Sequence, residues 1–227
     1  MKKALIAAAL ISAVWGNTAL AGVVTSSTRA IVNGEKKEAI ISLGNPDKSS
    51  WKIDAWVDAD GANSGLKLPL SVTPSSFRLD AGSRQLLKIA FMDNGQPTDR
   101  ESLFRLNVKS TPDFPAEKSQ SLMMSVNQRL KVFYRPAGIK APSESDYKKL
   151  SFHRQGKNLS VNNPTPYYMT FYSLTLGGMA VNTNGKMVPP KGKVNYLMPE
   201  GYLNNTLTWR VINDYGGESA AHVMKLY

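Results

Sequence analysis

The chain has 227 residues, with 28 lysines and arginines against 17 acidic residues, a formal charge of +11 and no cysteine. The lack of cysteine excludes disulfides, thiol catalysis, cysteine zinc sites and iron–sulfur clusters, so stability has to come from packing alone. The positive charge favours acidic partners or anionic surfaces, with a solvated basic surface as the plain alternative.

Residues 1–21 read as a cleavable secretory signal: Lys2 and Lys3, an apolar run from Ala4 to Val14, then the small-residue site Ala19-Leu20-Ala21. The run is too short to span a bilayer, and no later segment approaches about 18 consecutive apolar residues. Membrane insertion of the mature chain is therefore not expected. Removing 21 residues from 227 leaves 206, enough for two domains of about 100 residues. The charge falls to +9 once Lys2 and Lys3 leave.

The mature sequence reads as all-β: short runs of β-branched and aromatic residues bounded by glycine, proline and asparagine. Strands are predicted at Ser27 to Val32, Glu38 to Leu43, Trp51 to Asp58, Leu70 to Val72, Gln85 to Phe91 and Leu103 to Lys109, followed by a long one from Gln120 to Pro136. Seven strands at this spacing suggest a β-sandwich. Turn signals such as Asn33-Gly34 and Asp80-Ala81-Gly82 fall between them. The long strand is the most informative. Leu122, Met124, Val126, Leu130, Val132 and Tyr134 share one parity, broken only at Gln128, while Ser125, Asn127, Arg129 and Lys131 take the other. Such a stripe is about twice the length of an ordinary strand. It is either all core, or one end lies at a sheet edge and pairs with another polypeptide.

After Arg135-Pro136 the stretch Ala137 to Pro142 reads as a stiff hinge, which divides the chain into residues 22–138 and 139–227. Further strands are predicted near Leu150 to His153, Asn158 to Asn162, Tyr168 to Leu176, Lys186 to Val188, Val194 to Leu197, Thr206 to Ile212 and Ala221 to Leu226. They imply a second, smaller sandwich.

The catalytic inventory is thin. His153 and His222 stand in no metal spacing and near no nucleophile motif, and both are expected on strand surfaces. Asp99, Glu101 and Asp214 suit pairing with arginine better than acid–base work. No metal site, cofactor or enzymatic activity is expected. Nor is nucleic-acid binding, because the aromatics are not interleaved with basic residues.

Seven stretches, TRAIVNG from Thr28, NPDKSSWKIDAWVD from Asn45, SVTPSSFRLDAGSRQLLKI from Ser71, DRESLFRLNV from Asp99, LKVFYRPAGIK from Leu130, VNNPTPYYMTF from Val161 and INDYGG from Ile212, occur in an order that resembles the periplasmic pilus chaperones of the chaperone–usher pathway, the PapD-like family. The resemblance spans nearly all of the mature chain. It implies two immunoglobulin-like domains in a boomerang arrangement, located in the periplasm, that bind, fold and cap pilus subunits and deliver them to an outer-membrane usher. Carried over residue by residue, it implies a donor strand of Leu122, Met124 and Val126, a carboxylate anchor of Arg29 and Lys131, and an interdomain ionic cluster of Glu101, Arg135 and Asp214 with a mainly geometric role. It also implies an usher contact at Thr73 and Pro74, for which a proline-bounded turn is the alternative. Strict alternation sets Lys131 on the face opposite Leu122, Met124 and Val126, so a bulge, a local twist or a division of labour along the strand is required. Whether the free chain is a monomer or a self-capping dimer stays open. A structural fibre subunit or adhesin is the alternative function. It is disfavoured because residues 22 to 26 are too few for a free donor extension.

Overall fold

The computed structural model describes residues 22–59, 68–92, 95–113 and 124–227. The first half contains β1 (Val24–Thr25), β2 (Arg29–Asn33), β3 (Glu38–Gly44), β4 (Trp51–Ala59), β5 (Leu70–Thr73), β6 (Ser76–Leu79), β7 (Arg84–Phe91), β8 (Ser102–Pro112) and β9 (Val126–Arg135). They follow the order β5-β7-β3-β2-β9-β8-β4-β6, with β1 beside β3. The hinge of this ribbon is β2, which pairs with β3 only at Asn33 and Glu38 but runs parallel to β9 for five residues, from Arg29 opposite Lys131 to Asn33 opposite Arg135. The two wings therefore fold face to face. Val32, Ile41, Leu87 and Ile89 from one wing meet Ile53, Leu106, Val108 and Val132 from the other in one core, each at most 1% exposed. Each such side chain contributes about 1.5–3 kcal/mol on burial.

The second half contains α1 (Glu144–Tyr147), β10 (Ser151–Gln155), β11 (Asn158–Asn163), β12 (Phe171–Leu176), β13 (Met179–Ala180), β14 (Gly192–Leu197), β15 (Thr206–Val211) and β16 (His222–Lys225). Two sheets, β10-β11-β14 and β13-β12-β15-β16, enclose a separate core in which Phe152 packs on Trp209 with ring centroids 4.7 Å apart.

Most predicted strands are present within a residue or two, and the exceptions have physical reasons. Tyr168 was expected to open β12, yet that strand begins at Phe171, because the Tyr168 N–H donates to the Glu101 carboxylate in the first half (2.8 Å) rather than to a ladder. Residues Lys186 to Val188 form only a single bridge, Val188 to Met169. The expected end of β8 at Lys109 is overrun to Pro112, which is paired with Trp51. Expected on a strand surface, His222 is buried, with its ring centroid 5.4 Å from that of Trp209. His153 is exposed as expected.

A buried asparagine braces each half. Asn45 Nδ2 donates to the carbonyls of Ser49, Leu79 and Asp80, and Asn163 Nδ2 to those of Tyr167, Val188 and Pro189. In both places the amide oxygen accepts a backbone N–H two residues on, from Asp47 and Thr165. Each asparagine precedes a proline, a residue with no N–H of its own, so the side chain replaces ladder bonds that the turn cannot make.

Candidate functional site

The site is built around β9. Its even-numbered residues Leu130 and Val132 are 6% and 0% exposed and belong to the core of the first half. Of the odd-numbered ones, Phe133 and Arg135 face the second half: Phe133 lies 5.7 Å, ring to ring, from Tyr168, and Arg135 pairs with Asp214. Pairing with β8 is regular from Ser102 opposite Tyr134 to Ser110 opposite Val126, with no bulge. No bulge therefore intervenes between Val126 and Lys131. One face of β9 serves the core and the other the cleft between the halves.

The two ends of β9 differ in their margins. From Lys131 to Arg135 the strand lies between β8 and β2. From Val126 to Leu130 it pairs with β8 alone, and among the described residues no strand pairs with its other margin. The chain N-terminal to Arg29 has by then departed toward β3, where Val24 and Thr25 pair. Gln128, the break in the apolar stripe, donates its side-chain amide to the Val23 carbonyl and so caps the end of the core. Beyond it, at the same parity, Val126 and Met124 are 47% and 66% exposed. Leu122 and the start of the predicted long strand, Gln120 to Met123, lie outside the described residues, and β9 itself begins at Val126.

Beside this open margin stands a row of cations. Arg29 on β2, Lys131 on β9 and Arg105 on β8 are register partners, neighbours in three adjacent strands about 5 Å apart. Arg29 is only 7% exposed; its Nη1 donates to the Ile212 carbonyl (3.3 Å), its guanidinium lies 5.9 Å from the Phe133 ring centroid, and its Nε has no hydrogen-bond partner. Burial pulls Arg29 below the ordinary arginine pKa, and Asp214 is the strongest of the charges opposing that pull. A buried guanidinium with an unsatisfied N–H is a good receptor for a carboxylate, whose charge and lone pairs would answer both deficits.

At the far end of β9, Arg135 reaches Glu101 Oε1 through Nε (2.9 Å) and Nη2 (2.7 Å), and Asp214 through Nη1 (2.7 Å) and Nη2 (2.8 Å). Glu101 itself reaches the second half twice, its N–H donating to the Pro166 carbonyl (2.9 Å) while its Oε2 receives the Tyr168 N–H. Gly34 sits against this strap: its N–H donates to the Arg135 carbonyl (2.7 Å), and a Cβ there would lie 2.3 Å from Ala137 N. Thr73 and Pro74 lie where the chain crosses from β5 in one wing to β6 in the other, Thr73 exposed and Pro74 half-buried.

Residues 22–140 match the family model of the pili and flagellar-assembly chaperone PapD N-terminal domain, and residues 145–223 that of the pili assembly chaperone PapD C-terminal domain. The chain belongs to the PapD family of pilus-assembly chaperones. It is a binding protein of pilus assembly and not an enzyme, and the fibre-subunit reading is not favoured. Chaperone protein FocC of Escherichia coli is 38% identical over 201 residues, 86% of each chain, and the probable fimbrial chaperone LpfB of Escherichia coli O157:H7 is 37% identical over 220 residues, 95% of this chain and 94% of that one. Among solved structures, the complex of Salmonella enterica SafA pilin with the SafB chaperone superposes with a TM-score of 0.82 at 32% identity, covering 92% of this chain and 98% of that one. The periplasmic chaperone SfaE gives 0.73 at 35%, covering 88% and 97%. Agreement over so much of the chain extends to the placing of the two halves about their cleft.

Within that cleft the structure brings Arg29 and Lys131 together, and Glu101, Arg135 and Asp214 into one cluster. It leaves Thr73 and Pro74 apart from both. Sequence reading missed Arg105 in the cationic row, although its parity relative to Leu106 and Val108 carried the signal, and it missed the cap formed by Gln128.

Proposed function

We propose that this chaperone captures a pilus subunit by lending it the open margin of β9, with Leu122, Met124 and Val126 filling an apolar groove, while Arg29 and Lys131 hold the subunit's C-terminal carboxylate. The observation that carries the reading is the margin from Val126 to Leu130, which pairs with no strand among the described residues and is flanked by exposed apolar side chains at one end and by the Arg29–Lys131 pair at the other. An incomplete sandwich offers unpaired backbone groups and an apolar trench; an added strand satisfies the first and fills the second. Anchoring the chain end fixes the register of every residue paired after it. The setting is the periplasm, reached through the signal in residues 1–21 and cleavage before Gly22, and the product is handed to an outer-membrane usher, with Thr73 and Pro74 on the surface it meets. Residues 22–138 form the subunit-binding domain and 139–227 the second wall of the cleft.

The test is periplasmic co-expression with the neighbouring pilus subunits and pull-down by wild type, Arg29→Ala and Lys131→Ala. Either substitution is expected to reduce recovery at least about tenfold, the loss of one or more charge-assisted hydrogen bonds. Equal recovery by all three chains would overturn the anchoring reading.

A further inference from the structure

Where the halves meet beside Arg29, two buried polar atoms have no hydrogen-bond partner among the described residues: Arg29 Nε and Thr170 Oγ1, each in a residue only 7% exposed. They come from opposite halves. Thr170 stands just before β12, between Met169 and Phe171, whose side chains belong to the core of the second half. In an extended chain its own side chain then points the other way, to the face shared by Tyr168, whose ring meets Phe133 of the first half. Backbone groups set it beside Arg29: Arg29 Nη1 donates to the Ile212 carbonyl (3.3 Å), and the Ile212 N–H donates to the Thr170 carbonyl (2.8 Å). A hydroxyl outside the core yet barely exposed lies at the seam of the two halves, and leaving it unpaired there costs free energy.

We infer that the Thr170 hydroxyl is a further binding group of the anchor, donating to one oxygen of the subunit's terminal carboxylate while Arg29 Nε donates to the other. The inference rests on the anchoring reading above and extends it to the second half. A matching of deficits carries it: two orphaned groups, one of them cationic, face an anion that has two acceptor oxygens. Arg29 belongs to the first half and Thr170 to the second, so the captured chain end is tied to both walls of the cleft.

The experiment follows, by anisotropy, a short fluorescein-labelled peptide of alternating valine and threonine, with a free or an amidated C-terminus, binding to the mature chaperone and to its Thr170→Val and Thr170→Ser variants. Valine keeps the shape of threonine and removes the hydroxyl. Thr170→Val is expected to bind the free-acid peptide about five- to tenfold more weakly, and Thr170→Ser to stay close to wild type. The amidated peptide should bind all three equally weakly. Thr170→Val should also melt no lower than wild type, because it removes a buried hydroxyl that has no partner in the free chain. Undiminished binding of the free acid by Thr170→Val, with amidation still weakening wild type, overturns the role of Thr170 and leaves the anchor standing. An equal loss of both peptides together with a lower melting temperature overturns it as well, since that is the mark of a merely structural threonine. Insensitivity to both amidation and Arg29→Ala overturns the anchor and the inference with it.

Discussion

At the scale of single residues, Arg135 carries the most consequence. Its side chain is 6% exposed and that of Glu101 3%, so neither charge has water to fall back on. Burial alone would lower the Arg135 pKa, but the hydrogen bonds and charges of Asp214 and Glu101 outweigh it and hold the guanidinium above its ordinary value. Burial pushes Glu101 upward, against the pull of Arg135 and the Tyr168 N–H. Removing the arginine strands a buried carboxylate beside a second one. Arg135→Ala is therefore expected to cost about 3–5 kcal/mol at neutral pH. The sign of its pH dependence follows. An acid whose folded pKa stands above its unfolded value loses stability as pH rises and recovers it as pH falls, so the penalty should shrink between about pH 7.5 and about pH 5. Urea midpoints of wild type and variant at both pH values check this; a penalty independent of pH would show that Glu101 relaxes into solvent instead.

At the scale of elements, most strands of four or more residues were readable because each keeps an alternating pattern with one face in a core. β1 and β13, of two residues each, carry too little periodicity to see. No strand was expected over the four residues of β6, Ser76–Leu79, which follow closely on Pro74. The opposite error, a full strand at Lys186 to Val188, arose because local propensity cannot show that the Val188 carbonyl is claimed by Asn163 Nδ2 as well as by Met169 N–H. The site divides along the same line. Arg29, Lys131 and the ionic cluster came from family motifs; that both faces of β9 are used was not legible, because it depends on a second domain more than 30 residues away in sequence. The asparagine braces were visible only as two Asn-Pro pairs. Asn163→Ala leaves buried carbonyls and the Thr165 N–H without partners and is expected to destabilise the second half by about 2–4 kcal/mol. Thermal denaturation should show a midpoint lower by about 10 °C or more; a loss under about 0.5 kcal/mol, the level of an ordinary surface change, would remove the brace from the account.

At the scale of the whole molecule, the two halves are joined so that one strand has a fixed end and a free end. Around Arg135 the cleft is held by the Glu101–Arg135–Asp214 cluster, by Arg29 on the Ile212 carbonyl and, at the surface, by Lys191 on Asp99. The exposed Lys191 pair adds little beside the buried cluster. On its open side the segment from Val126 to Leu130 pairs with no strand among the described residues, and Gln128 donates there to the Val23 carbonyl. Backbone amides there alternate between donating to β8 and pointing to the open margin. Hydrogen exchange resolved by residue should then split β9 in the free monomer: Lys131 to Arg135 protected throughout, and from Val126 to Leu130 every second amide exchanging freely. Capture of a subunit should slow those same amides and leave the protected end unchanged. Slow exchange along the open margin in the free chain at every concentration would mean the margin is closed within the monomer, and strand addition would lose its footing. Protection that appears only as concentration rises would mark a second copy seated where the subunit belongs, the self-capping dimer.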